Sequence, residues 1–200
     1  MPRTKETFEA MRETTRQKIE AAALSLIARK GISVTIGEIA QAAGLSKGLL
    51  YSHFQSKEAL IAELVRQATV ASGQNIMNFC QSNNTSVSKV KKITAMMRNM
   101  FSKVPIEIDY FMFMIQVEMS GFKVPEMAQY SEELPSPVES LASIIEQGQL
   151  EGSVIIGDTF QLSFLYWAAF QGLCCYAITG RPVCPDPQVL NRILLKEEFI

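Results

Sequence analysis

The stretch Gly44-Leu45-Ser46-Lys47-Gly48 satisfies the G-x-S-x-G pattern of a hydrolase nucleophile elbow, and the only histidine, His53, follows it closely. Such an elbow joins a strand to a helix, and its acid falls between serine and histidine in chain order. Neither condition is met. Residues 35–43 place Ile36, Ile39, Ala40 and Ala43 at i, i+3, i+4 and i+7, which is helical spacing, and no Asp or Glu separates Ser46 from His53. Nucleophilic catalysis by Ser46 is therefore not expected.

Other reactive chemistry is equally thin. Cys80, Cys174, Cys175 and Cys184 form no C-x-x-C pair, which points to reduced, mostly buried thiols rather than a zinc site or a disulfide framework. The sequence offers no phosphate loop, no metal-ligand cluster and no acid/base pair, so neither a cofactor nor an enzymatic activity is expected. The first twenty residues are charged throughout with no apolar core, so a cytoplasmic protein is expected. Between Asp158 and Arg181 no residue is charged, a length close to the ~20 residues that span a bilayer. Gln161, Ser163 and Gln171 interrupt it and no second such segment exists, which favours a helix buried at a subunit interface over a membrane span. The net charge of -1 divides into +3 over residues 1–66 and -4 over the remainder. A basic front end is compatible with nucleic-acid binding.

The elements around the glycine-rich stretch explain it better. A first helix is expected from about Thr14 to Lys30, with Ile19, Ala22, Ala23, Leu26 and Ile27 inward and Gly31 as its stop. Thr35-Ile36-Gly37-Glu38 is a capping box that opens a short second helix ending at Gly44. Ser46 caps a third, with Leu45 and Leu50 as a hydrophobic staple. Two short helices joined by a glycine-containing turn form a helix-turn-helix, whose second helix enters the DNA major groove. Leu50 and Phe54 face inward, leaving Lys47, Tyr51 and Ser52 outward, and Gly48 removes a side chain where backbone could approach a phosphate. Lys47 and Lys57 both open helices, where a cation is unfavourable by ~0.3–1 kcal/mol. That placement is poor for stability and good for meeting a phosphate.

The run from Thr35 to Leu60, with "RQKIEAAALSLIARKG" before it, closely resembles the DNA-binding segment of TetR-family transcriptional regulators in the spacing of its glycines, Tyr51, His53, Phe54 and Lys57. The resemblance implies an all-α protein: an N-terminal three-helix helix-turn-helix domain, residues 1–60, and a C-terminal helical domain, residues 61–200, for effector binding and dimerisation. Position by position it implies DNA contacts from Thr35, Ser46, Lys47, Gly48, Leu49, Tyr51, His53 and Lys57. Its partners would be double-stranded operator DNA, a small-molecule effector and a second copy of the chain, with no membrane.

A long helix from Ser56 to about Cys80 should lead into a region holding eight of the ten methionines, Met77, Met96, Met97, Met100, Met112, Met114, Met119 and Met127, with Phe101, Tyr110, Phe111, Phe113, Phe122 and Tyr130. Methionine adapts to irregular apolar shapes, so Met97, Phe101, Phe111, Met114 and Phe122 are candidate ligand contacts, with Glu118 as a buried-acid candidate for a cationic ligand, although a partly exposed acid is the preferred reading. Ordinary helical core accounts for any single methionine equally well. Ser136-Pro137-Val138-Glu139 opens a helix running to about Leu150, Asp158 caps the uncharged one, and a last helix follows Pro187 with Val189, Leu190, Ile193 and Leu194 as its stripe. By position in the family, these final two helices would pack against their copies, with Phe160, Phe164, Trp167, Phe170, Leu190 and Leu194 as dimerisation residues. The expected function is a ligand-responsive repressor released from a palindromic operator by an apolar or amphipathic effector. The alternative is a constitutive DNA-binding regulator whose C-terminal domain only dimerises or recruits a protein.

Overall fold

The computed structural model describes residues 5–80, 82–103, 105–122, 136–181 and 186–200, with side chains described except at 5, 6, 69–80, 102, 103 and 105–107. Of the residues singled out above, Met77 and Cys80 have no described side chain, and Met127, Tyr130 and Cys184 lie outside the described residues. The described residues form helices α1 Lys5–Lys30, α2 Ile36–Ala42, α3 Lys47–His53, α4 Lys57–Cys80, α5 Ser86–Lys103, α6 Pro105–Met119, α7 Pro137–Leu150, α8 Thr159–Ile178 and α9 Pro187–Asn191, then a 3-10 turn at Glu197–Phe199. The fold is all-α, and its only β-type pairing among these residues is the antiparallel bridge Val154–Leu195.

Helix α1 starts well before Thr14. Residues 5–13 lack Gly and Pro, and the hydroxyls of Thr14 and Thr15 turn back to the carbonyls of Ala10 and Met11 at 2.9 Å, so these threonines sit inside the helix instead of opening it. The capping boxes form as expected at Thr35/Glu38 and Ser136/Glu139, and Asp158 caps α8 through Gln161 N at 2.8 Å. Gly31 and Gly44, at φ +82° and +70°, end α1 and make the turn before α3 in backbone geometry that costs other residues energy.

Two compact units divide the chain: Met1–Ala68 with Asp109–Glu126, and Thr69–Ile108 with Met127–Ile200. The expected division at residue 60 follows chain order, whereas these units follow packing. In the first, Ile19, Ala23 and Ile27 of α1, Ile39 of α2, Leu50 of α3, Leu60, Ile61 and Leu64 of α4, and Phe113 and Val117 of α6 are fully buried. Arg29 binds the nearly buried Asp109 at 3.2 Å, fastening the start of this α6 segment to α1. Burying each large aliphatic or aromatic side chain contributes ~1.5–3 kcal/mol, which is what holds the short helices α2 and α3 in place.

In the second unit α7 and α8 pair, and α5 packs on both α7 and α9. Phe170 is buried with its ring edge-on to Phe101 at 5.9 Å and to Trp167 at 6.0 Å. Beneath them Tyr166 donates to Thr94 at 2.6 Å and Thr94 to Asn191 Oδ1 at 2.8 Å, a buried chain tying α8, α5 and α9 together. The last helix is shorter than its apolar stripe suggests. After Asn191 the backbone pairs with the loop following α7, Ile155 N donating to Leu194 O at 2.9 Å and Lys196 N to Ser153 O at 3.1 Å.

Candidate nucleic-acid interface

Helix α3 is seven residues long and stands on one buried side chain of its own, Leu50, with Phe54 just after it. The rest of its surface is open. Thr35, Ser46, Lys47, Gly48, Leu49, Tyr51 and Ser52 are all exposed, and Leu49 and Tyr51 keep 43% and 52% of their surface in water. Folding alone gives no reason to display a leucine and a tyrosine on a helix that short.

The polar groups differ in what they have left to offer. Ser46 Oγ accepts from Leu49 N at 3.2 Å and keeps its proton for an outside acceptor. Thr35 Oγ1 accepts from Glu38 N at 3.2 Å and donates to Glu38 Oε2 at 2.9 Å, so its proton is already spent within the capping box. These bonds hold the Glu38 carboxyl below its ordinary pKa. Lys47 is exposed and has no ion-pair partner among the described residues. Lys57 is different: it is half-buried, and its Nζ donates to Ile32 O at 2.7 Å and Val34 O at 3.1 Å. The expectation that it is misplaced for stability is corrected by these bonds, which satisfy two carbonyls of the α1–α2 connection.

His53 is half-buried at the end of α3 beside a depression of about 210 Å³ lined also by Glu9, Arg12, Glu13 and Arg16 of α1. Burial first, then the charges of Arg12 and Arg16, lower its pKa, leaving a neutral ring at pH 7 that can donate to a phosphate but does not attract one by charge. Arg16 also stacks over Phe54, 4.6 Å from the ring centre, and pairs with Glu20 at 3.0 Å. The two arginines were missed because α1 was expected to begin after Arg12; their i, i+4 spacing is the signal that a longer helix would have exposed.

The remaining candidates divide. Met97 is buried and Phe101 half-buried in the second unit; Phe111, Met114 and Phe122 are half-buried in the first. Glu118 is exposed, in keeping with the preferred reading of an acid open to solvent and against the buried-acid alternative. On α8, Phe160 and Phe164 are 56% and 58% exposed, joined by Leu165, Ala168, Ala169, Gly172, Cys175 and Tyr176 along one face. Trp167 is half-buried and donates to Pro137 O at 3.0 Å. Phe170, Leu190 and Leu194 are 1%, 5% and 0% exposed within their own unit, so they are corrected from dimer contacts to core. Cys175 is exposed, against the expectation of mostly buried thiols, while burial pushes the Cys174 thiol up to about 12.

A capped helix-turn-helix with an open second helix, carried by an all-helical chain, defines a class of DNA-binding regulators. Residues 19–64 match the model of the bacterial regulatory proteins of the tetR family. The HTH-type transcriptional regulator AcrR of Shigella flexneri is 45% identical over 53 residues, a stretch that is 26% of this chain and 25% of that relative. The fold as a whole is similar to the MbdR regulator from Azoarcus sp. CIB, with TM-score 0.71, 21% identity and coverage of 90% of this chain and 96% of that one. It is also similar to NalD, the secondary repressor of the MexAB-OprM multidrug efflux pump in Pseudomonas aeruginosa, with TM-score 0.60, 19% identity and coverage of 92% and 98%. No described helix is long and apolar enough to cross a membrane.

Proposed function

We propose that this chain is a homodimeric transcriptional regulator that reads a palindromic operator with α3 and releases it when an apolar or amphipathic small molecule binds. The observation that carries the DNA reading is the exposed surface of α3, where Leu49 and Tyr51 face outward beside Lys47, which has no ion-pair partner among the described residues. Leu49 and Tyr51 offer apolar contact and a hydroxyl to base edges, while Lys47, Ser46 Oγ and the backbone at Gly48 suit phosphates. His53 adds a neutral donor at the edge of the same surface. Thr35 contributes by holding α2 in place, and its hydroxyl reaches a phosphate only if Glu38 lets it go.

Repression is proposed by analogy with NalD, which the chain resembles in fold. The effector reading rests on the methionine and phenylalanine content of α5 and α6. Selection from a random duplex library should return inverted repeats whose half-sites lie about one helical turn apart or slightly more. Recovery of a single unrepeated site would reject the two-fold reading. Changes at Leu49 or Tyr51 should alter the preferred sequence.

A further inference from the structure

Helix α2 carries a glycine at its second position, Gly37, where backbone geometry does not call for one: it lies inside a helix, and no positive φ is found there. A glycine in a helix interior costs stability relative to alanine. The space around it supplies a reason. A Cβ built on Gly37 would stand 2.7 Å from Cε of Lys47, closer than carbon atoms tolerate, and 3.0 Å from its Nζ, a tight contact. The Lys47 side chain therefore runs from the start of α3 back across α2 and lies directly on the Gly37 backbone. It is exposed, it has no ion-pair partner among the described residues, and the neighbouring acid, Glu38, is already bound to Thr35 and Lys30.

From this contact we infer that Gly37 is a positioning residue: the missing side chain is the seat that sets where the Lys47 ammonium meets the DNA backbone. The inference rests on the proposed DNA reading and on Lys47 as a phosphate contact. Only the far end of a flexible side chain occupies the seat, so Gly37→Ala is accommodated by moving that end while α2, with the better helix former, stays folded. Positions that lack a neighbour within 4 Å, such as Gly44 and Gly172, carry no comparable constraint on a cation.

The test uses the full-length protein and sheared genomic duplex DNA, since phosphate contacts supply non-specific binding and no operator is needed. Wild type, Gly37→Ala, Lys47→Ala and the double variant are compared for thermal unfolding and for the slope of log affinity against log salt. Loss of one phosphate contact per bound protomer flattens the slope by about 0.9. Gly37→Ala is expected to unfold no earlier than wild type, to flatten the slope as Lys47→Ala does, and to add nothing to it in the double variant. A wild-type slope for Gly37→Ala, additive losses in the double variant, or early unfolding of Gly37→Ala would each overturn the positioning role. An unchanged slope for Lys47→Ala would instead overturn Lys47 as a phosphate contact, leaving the DNA reading to stand or fall on the other variants of α3.

Discussion

At the scale of single residues, two lysines that looked alike in the sequence have different work. Lys47 has no ion-pair partner among the described residues, whereas Lys57 spends its charge on Ile32 O and Val34 O. A hydrogen bond from a charged group contributes ~1.5–3 kcal/mol, and its removal strands carbonyls that burial has partly dried. Lys57→Ala should therefore destabilise the chain by ~1–3 kcal/mol, seen in chemical denaturation, and leave the salt slope of DNA binding near wild type. A flattened slope at unchanged stability would return Lys57 to the phosphates. His53 gives a second expectation, with opposite signs for folding and for binding. Its folded pKa lies below the usual ~6.5, through burial and then Arg12 and Arg16, so on acidification the unfolded chain takes up a proton first and stability falls from about pH 6.5 downward. An adjacent phosphate favours the charged ring, so DNA affinity should rise over the same range. His53→Asn should flatten both trends, and a DNA affinity with no pH dependence in wild type would remove His53 from the interface.

Elements were legible where their signals are local. Thr35/Glu38, Ser46, Ser136/Glu139 and Asp158 fall within a turn of the amides they serve, so type and spacing sufficed to place four helix starts. Thr35→Ala should cost ~1 kcal/mol of stability through loss of that cap. A thermal shift no larger than that of an exposed threonine elsewhere on α1 would show that α2 is held by packing alone. What escaped the sequence was settled at a distance. Phe170, Leu190 and Leu194 look like an unburied stripe in sequence, and only the partners across the second unit, Phe101 among them, show that they are already covered. The last helix stops at Asn191 because Val154 and Ile155, far earlier in the chain, pair with its continuation. The exposed face of α3 was readable almost in full, since exposure on a seven-residue helix follows from its periodicity. The engagement of Lys57 and the seat at Gly37 were not, because each joins residues on different helices.

For the molecule as a whole, the uncharged face of α8 and the proposed switch form one thermodynamic argument. Phe160, Phe164, Leu165 and Tyr176, with Ala168, Ala169 and Gly172 between them, present apolar surface in a row that a second copy could bury about a two-fold axis. Phe164→Glu would place one carboxylate from each protomer in that contact, and it should give folded, helical monomers by sedimentation. A dimer that survives it would move the interface elsewhere. In the proposed dimer, two copies of α3 would have to match two half-sites at once, so an effector would need only to favour a pair with the wrong spacing. It can do so only by the difference in its affinity for the two arrangements. A coupling of ~1–3 kcal/mol would weaken operator binding by ~5–150-fold, and reciprocity requires the operator to weaken effector binding by the same factor. Once a thermal-shift screen supplies a ligand, its titration against the free dimer and the operator-bound dimer should show that factor, and Met97→Ala or Phe101→Ala should shift both affinities together. Equal affinities in the two titrations would reject effector release and leave a constitutive DNA-binding dimer.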